Sequence, residues 1–563
     1  MVLMDSLNGN KVKKSEYFKS KAVKAKNSGL RAIFKLIFSR IMLTVIIMLG
    51  QIYLLFVLLE RMNAANAKWW LYFFNICAAL CVIVIINSKE NPAFKLMWML
   101  PLSLTPVFGV ILYVFITANP VRFGQSKGLK KRIDETAPYL KMPDGLKAKM
   151  KDEQVPISDL SYYIEHVNHL PSYTNTEVEF FPDGRSKIDD LLVEIEKAEQ
   201  YIFMEYFIIN KGYVWDTVLE ALKKKAAAGV EVRLLYDGFN SMTALPAHYT
   251  KKLAEYGIKA RVFSPVRPFL SSHQNYRDHR KIVVIDGKVA YNGGINLADE
   301  YVNLKERFGY WKDTAVRLRG DAVKSFTAMF LQMWGMFTAE VEDYDKYLLD
   351  TASEQDTDAA TKPAEACESE EAGDVWTRAD SLGYVIPYND DPCNGEDVAE
   401  EVYLDILNKA RDYVWIMTPY LIPENEIITG LCFAAQRGVD VRIIMPHIPD
   451  KKIVFDVAHT YYTQLIEAGV RIFEFTPGFV HAKMFVSDDC KAVVGSINLD
   501  FRSLYEHFEC ATFIYNNPVV GDIKKDFIDT FDKCQEFYKE DYKKLPLFNR
   551  ICGKVCRLFG PLL

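Results

Sequence analysis

Two histidines, His279 and His481, hold the same place in a repeated pattern. The chain reads HRKIVVID at 279–286 and HAKMFVSD at 481–488. Both fit H-x-K-x4-D, with Lys281 and Asp286 in one copy and Lys483 and Asp488 in the other. After six intervening residues come Gly-Gly-Ile-Asn (293–296) and Gly-Ser-Ile-Asn (495–498), so Asn296 and Asn498 share an offset as well. A neutral imidazole is a nucleophile towards phosphorus and an acid or base near neutral pH. An ammonium group neutralises non-bridging phosphate oxygens, and an asparagine amide donates to the same oxygens. Residues two apart on a strand face one side, so each His-Lys pair makes a joint phosphate contact. One copy holds a single histidine. Two copies packed face to face supply a nucleophile and a leaving-group acid, as phosphoryl transfer through a covalent phosphohistidine requires.

The attacking ring also needs its other nitrogen held, usually by a carboxylate. Asp313, in Trp-Lys-Asp-Thr (311–314), lies downstream of the first motif, and Glu509, in His-Phe-Glu (507–509), downstream of the second. These are the candidate orienters. Asp286 and Asp488 complete the motifs, but they stand an odd number of residues past their histidines. On an unbroken strand they face away, which favours a supporting role over proton transfer. His166, His169, His248, His273, His447 and His459 have no such context and read as ordinary loop or surface residues; His507 is ambiguous because Glu509 is so near.

The elements around the motifs repeat too. Ala-Glu-Gln-Tyr-Ile-Phe-Met-Glu-Tyr (198–206) resembles Ala-Arg-Asp-Tyr-Val-Trp-Ile-Met-Thr-Pro-Tyr (410–420), Ala-Gly-Val-Glu-Val-Arg-Leu-Leu (228–235) matches Arg-Gly-Val-Asp-Val-Arg-Ile-Ile (437–444), and Leu-Ala-Glu-Tyr-Gly-Ile (253–258) matches Leu-Ile-Glu-Ala-Gly-Val (465–470). Helix and strand alternate in each copy before the histidine strand. That order predicts an α/β fold, a mixed sheet flanked by helices, built twice as pseudo-symmetric domains over 175–340 and 377–540. The acidic stretch between them, 341–376, carries too little apolar surface to form a core and reads as a solvated linker.

Three apolar runs precede the repeats, at 41–59, 69–87 and 96–117 within a region 41–120. Each approaches the ~20 residues that a helix needs to cross about 30 Å of hydrocarbon, so they are candidate transmembrane helices and the chain is expected at the cell membrane as a multi-pass protein. The third contains Pro101, Pro106 and Gly109, which bend or break a helix. Residues 1–40 carry ten Lys/Arg against Asp5 and Glu16, which favours a cytoplasmic N-terminal segment. Arg122, Lys127, Lys130, Lys131 and Arg132 follow the third run and also favour the inside. Three full crossings cannot satisfy both ends; two crossings and one irregular segment can. A connecting segment, 121–174, leads to the repeats.

The whole chain has 563 residues, half of them apolar, and a net charge of −5. A size of this order suits several domains, and the negative charge argues against a nucleic-acid partner. The ten cysteines form no CxxC pair and read as reduced, not as a disulfide framework or a metal site. The tail, 541–563, mixes basic and apolar residues, as an amphipathic helix on anionic lipid or an edge helix on the domain would.

The paired motifs and the repeat resemble the phospholipase D superfamily over roughly 175–540. Asn-Pro-Ala (91–93), the segment 279–301, Thr-Pro-Tyr-Leu-Ile-Pro (418–423), residues 495–503 and the terminal Pro-Leu-Leu narrow the resemblance to the bacterial cardiolipin synthase family. That resemblance implies phosphatidyl transfer between two phosphatidylglycerol molecules, releasing glycerol, with no metal or other cofactor. It implies His279 as nucleophile and His481 as acid and then base, and anionic membrane lipids as partners. Where that family often has Asn two residues before the Glu, this chain has His507, and Lys312 replaces an Arg before Asp313. Water or another alcohol competes for the same phosphohistidine, so hydrolysis or transfer to a different acceptor stays open. So does the oligomeric state.

Overall fold

The computed structural model describes residues 50, 53, 57, 67–117, 120–239, 244–246, 248–265, 276–340, 342–349 and 382–562. The first repeat forms β1 (Thr176–Phe181), β2 (Tyr201–Tyr206), β3 (Glu231–Asp237), β4 (Lys259–Phe263), β5 (Arg277–Asp278), β6 (Lys281–Ile285), β7 (Val289–Gly293), β8 (Tyr310–Lys312) and β9 (Ala315–Gly320). The second forms β10 (Tyr384–Asp390), β11 (Tyr413–Met417), β12 (Leu421–Ile422), β13 (Asp440–Pro446), β14 (Arg471–Phe475), β15 (Gly478–Val480), β16 (Met484–Ser487), β17 (Lys491–Gly495), β18 (Leu499–Asp500), β19 (His507–Tyr515) and β20 (Cys534–Phe537).

The two sheets share one topology. The first runs β1-β9-β7-β6-β2-β3-β4; the second runs β10-β19-β17-β16-β11-β13-β14, with β20 added at the edge. Strands β2, β3 and β4 are parallel, and β6 joins them antiparallel through β2. Helices cover the faces, so the central strands read as continuous apolar runs: all of β2 and all of β6 are buried. Each aliphatic side chain buried there contributes about 1.5–3 kcal/mol relative to exposure.

Two short parallel pairings cross between the halves. β5 pairs with the start of β19, and β15 pairs with β8. The expectation of one unbroken strand through each histidine and lysine is therefore corrected. Residues 279–280 and 481–483 lie between strands, because the chain pairs first with the other half and then enters its own sheet.

Further corrections concern the flanks. The acidic linker begins as ordered structure: Glu342 pairs with Arg233 at 2.8 Å, and Tyr344, Tyr347 and Leu348 are buried. Those three side chains give it the apolar surface that a solvated segment lacks; 350–376 lie outside the described residues. The connecting segment is helical and joins the core through Leu129, Ile157, Leu160 and Ile164. His459 is not a surface residue but is buried on the helix Lys452–Glu467, with Nε2 3.2 Å from Glu474. Every described cysteine is free.

Of the apolar runs, the first lies outside the described residues except for 50, 53 and 57. The second forms α1 (Ala67–Asn87). The third is not one helix but two, α2 (Pro92–Leu104) and α3 (Pro106–Thr117), followed by α4 (Pro120–Thr136). Pro106 breaks the run because the residue before a proline is pushed out of helical geometry, and Thr105 has φ −139° and ψ 72°. Among the described residues no helix is long and apolar enough to cross a membrane.

Candidate active site

The two interdomain pairings place each histidine beside a carboxylate of the other half. His279 N–H donates to Phe508 O at 3.0 Å, and His481 N–H donates to Lys312 O at 2.6 Å. These bonds set the side chains: His279 Nδ1 lies 2.8 Å from Glu509 Oε1, and His481 Nδ1 lies 2.7 Å from Asp313 Oδ2. Nearness in sequence would give Asp313 to the first motif and Glu509 to the second; the structure crosses them. With Nδ1 committed to the carboxylate, each ring keeps Nε2 for chemistry.

Both histidines are 7% exposed. Burial holds both imidazoles well below their ordinary pKa, reinforced by Lys281, Lys483 and Lys451. The rings are therefore neutral near pH 7, as a nucleophile must be. Burial also lowers Lys281 to about 8 and Lys483 to about 7, and raises Asp313 to about 6. Burial favours the neutral form of each lysine, and a phosphodiester anion beside them favours the charged form. Lys281 and Lys483 each donate to the carbonyl of the histidine two residues earlier, and Lys483 Nζ lies 2.9 Å from His481 Nδ1.

Asn296 accepts from Ile208 N–H at 2.9 Å and donates to Tyr301 Oη at 2.8 Å. Asn498 donates to Ser503 Oγ at 3.0 Å, while its Oδ1 is buried without a partner. The Asn296 amide nitrogen keeps a second hydrogen, whereas that of Asn498 gives its other one to Asp500 Oδ2 at 3.4 Å. Asp286 and Asp488 do not join the reacting groups. Asp286 accepts from the backbone N–H groups of Glu199, Gln200 and Tyr201 at 2.7–2.8 Å. Asp488 accepts from those of Arg411, Asp412 and Tyr413 at 2.9–3.0 Å. Each closes the turn ahead of the central strand, β2 or β11, and so fixes the strand against which the histidine segment packs.

Several site residues escaped the sequence reading. Phe207 packs 4.9 Å from the His279 ring, and Tyr301 and Trp311 lie 5.4 and 5.3 Å from His481. Arg280, the variable residue of the first motif, is buried and donates to Glu205 at 2.7 Å. Ser496 donates to Glu509 Oε2. Its counterpart is Gly294, where a Cβ would lie 2.1 Å from Asp313 Oδ1. The difference between Gly-Gly-Ile-Asn and Gly-Ser-Ile-Asn was the available signal. The ambiguous His507 joins the site, its ring 5.3 Å from that of His279 and its Nδ1 3.6 Å from Glu509; burial lowers it to about 3. Lys312 binds Asp526 at 2.7 Å and ties the halves together.

Among the described residues, two groups bring possible metal ligands within 4.8 Å of one another: His279, His507 and Glu509, and Glu400, Glu424 and Glu426. A cation in the first would compete with the hydrogen bond that orients His279. A small cavity beside the site is lined by Tyr420, Pro446, Asp450, Lys451, Phe455 and Phe479.

Comparison with known proteins agrees with this architecture. A family model described as "Cardiolipin synthase, PLD-like domain" matches residues 191–334 and 403–531, and one described as "Phospholipase_D-nuclease N-terminal" matches 76–116. An uncharacterized protein of Streptococcus mutans is 46% identical over 86% of this chain and 99% of its own length. The cardiolipin synthase of Geobacillus kaustophilus is 33% identical over 86% of this chain and 92% of its own. Cardiolipin synthase 2 of Bacillus cereus is 33% identical over 87% and 91%. Among solved structures, the phosphatidylserine synthase of Haemophilus influenzae shares the fold, with a TM-score of 0.52 at 14% identity over 72% of this chain and all of that one. Two duplicated sheets, one composite histidine site and these relatives lead to one assignment: the chain belongs to the cardiolipin synthase family of phospholipase D-like proteins.

Proposed function

We propose that this protein is a phosphatidyltransferase that makes cardiolipin and glycerol from two molecules of phosphatidylglycerol. The observation that carries the reading is the pair of crossed contacts, His279 with Glu509 and His481 with Asp313, which present two neutral imidazoles to one buried site. The relatives named cardiolipin synthase support the choice of substrate.

His279 Nε2 attacks phosphorus. The bond from phosphorus to the headgroup glycerol oxygen breaks, and His481, protonated when the anionic phosphodiester is bound, gives that oxygen its proton. Phosphatidyl-His279 and glycerol result. A glycerol hydroxyl of the second phosphatidylglycerol then gives its proton to His481 and attacks phosphorus. The phosphorus–nitrogen bond breaks, which forms cardiolipin and restores His279. Lys281, Lys483, Asn296 and Asn498 hold the non-bridging oxygens; Glu509 and Asp313 orient the rings; Asp286 and Asp488 position the strands. The apolar helices α1–α3, with Tyr72, Ile76, Leu80, Ile83 and Leu104 exposed, lie in the bilayer that supplies both substrates.

The test uses purified full-length protein in detergent with headgroup-labelled phosphatidylglycerol. Equimolar release of glycerol and formation of cardiolipin is expected. Phosphatidic acid as the sole lipid product would reject the synthase reading in favour of a hydrolase.

A further inference from the structure

The third apolar run does not behave as a crossing segment. α2 and α3 fold back on each other at Thr105. The rings of Trp98 and Tyr113 pack at 5.3 Å, and a Cβ on Gly109 would lie 2.5 Å from Pro101 O, so only glycine lets the arms approach this closely. Both ends of the hairpin are fastened to the same body. On entry, Asn91 donates to Glu424 and to Tyr505 Oη (3.0 Å for the latter), and Phe94 packs on Phe501 and Tyr505. On exit, Ser126 donates to Cys393 O at 3.3 Å, and Arg132 donates to Gly335 O and Thr338 O at 3.1 and 2.8 Å. Glu424, Tyr505 and Cys393 all belong to the second repeat. A segment whose two ends rest on one folded body cannot place those ends on opposite sides of a membrane.

The arms have 13 and 12 residues. At 1.5 Å per residue each reaches about 20 Å, roughly two-thirds of a hydrocarbon core. No charged residue occurs in 96–117. Leu96, Leu100, Leu104 and Val114 point outward, while among the described residues the unit's own buried cluster is Ala78, Ile85, Leu102 and Val110, with side chains such as Phe74, Trp98 and Tyr113 partly buried against it. So much outward apolar surface around so small a core calls for an apolar surrounding. The C-terminal helix Leu547–Cys556 continues this surface. It exposes Leu547, Phe548, Ile551 and Val555, and the turn after it, Arg557–Leu562, touches α2. The helix packs in turn on Lys452–Glu467, which carries Phe455 to the cavity beside the active site.

We infer that residues 92–117 form a re-entrant hairpin that enters the bilayer and leaves by the same face, with the helix 547–556 lying on that face beside it. The hairpin adds no crossing, so the catalytic domains stay on the side from which it enters. Lys89 before it and Lys127, Lys130 and Lys131 after it share that side, which the positive-inside rule makes cytoplasmic. Anionic headgroups complement these lysines together with Arg550 and Lys554 on the C-terminal helix. The inference rests on the membrane part of the proposed function and not on the reaction, so its test reads sidedness and never product.

Lys89→Cys, Thr105→Cys and Lys127→Cys are each placed in the full chain. Intact cells and inside-out vesicles are treated with a membrane-impermeant maleimide, and labelled peptides are identified by mass spectrometry. Cys at 89 and at 127 should react only in inside-out vesicles, and Cys at 105 in neither until detergent is added. Reaction of 89 and 127 from opposite sides would overturn the hairpin. Reaction of 105 in vesicles at the rate of 127 would place it outside lipid. Protection of 105 that survives detergent, in a dimeric protein, would make a second copy of this chain the occupant. Trypsin cleavage of the unmodified chain at Lys127, Lys130 and Lys131 reads the same sidedness with no substitution; cleavage from outside intact cells would also overturn the inference.

Discussion

His279 Nδ1 stands 2.8 Å from Glu509 Oε1, a carboxylate 230 positions further along the chain. The reciprocal contact, His481 with Asp313, spans 168 positions. Neither half therefore holds a complete oriented histidine, and the site exists only when the two sheets pack.

Exchanging the orienting carboxylates should separate the roles of the two histidines. Glu509→Gln should slow formation of the phosphatidyl-enzyme whatever the leaving group, because it disturbs His279. Asp313→Asn should slow that step when glycerol leaves, but much less with a leaving group that needs no proton, and should slow attack by the acceptor, because it disturbs His481. Each loss should be about 10²–10⁴-fold. Rapid-quench measurement of the covalent species checks this; equal effects of both variants on both steps would sink the crossed assignment.

The histidines themselves should differ in what they trap. His279→Ala should form no covalent lipid adduct. His481→Ala should keep the nucleophile and accumulate adduct from a substrate whose leaving group needs no proton, such as a nitrophenyl phosphodiester lipid. Adduct in His279→Ala and none in His481→Ala would reverse the roles.

Asp286 and Asp488 bind backbone and not substrate, so their removal should act on stability. Asp286→Ala leaves three N–H groups without their acceptor, a loss of about 1–3 kcal/mol. A lowered unfolding midpoint is expected, with near-normal KM in the protein that remains folded. A large fall in kcat with an unchanged midpoint would contradict this.

The pH profile of kcat/KM should be a bell. Asp313, raised to about 6, gains a proton on the acid side and releases His481. On the alkaline side Lys483 and Lys281, lowered to about 7 and 8, lose the charge that meets the phosphate. Lys483→Arg should move the alkaline limb upward, because guanidinium keeps its proton; an unmoved limb would show that these lysines do not set it.

Ser496 and Gly294 occupy matching places but do opposite things. Ser496→Ala removes a donor from Glu509 and should cost about tenfold in kcat, near 1.4 kcal/mol. Gly294→Ala drives a methyl into Asp313 and should cost more, through the loss of His481 orientation in both steps. Comparable kcat values for Gly294→Ala and the unaltered protein would show that Asp313 can move without consequence.

Much of the architecture was legible in the chain because it depends on local order. The repeated Gly-Val-x-Val-Arg segments and the continuous apolar strands Tyr201–Tyr206 and Tyr413–Met417 mark buried parallel strands wherever they occur. Two proline-containing halves in 96–117 warned of an irregular segment. The break at residues 279–280 was not legible, since nothing nearby shows that Arg277 and Asp278 pair with a strand of the other half. Nor was the order in 342–349, where a few tyrosines outweigh the acidic composition.

The sequence by itself determined the candidate reacting groups: two histidines, two lysines, two asparagines and two carboxylates, in a duplicated α/β frame behind apolar segments. Only the tertiary structure decided which carboxylate serves which histidine, and that the third apolar segment turns back. Both depend on contacts between distant parts of the chain. Local spacing specifies a strand or a helix, but the partner of its edge is chosen by how two completed sheets, or a hairpin and its base, bury their remaining surfaces against each other.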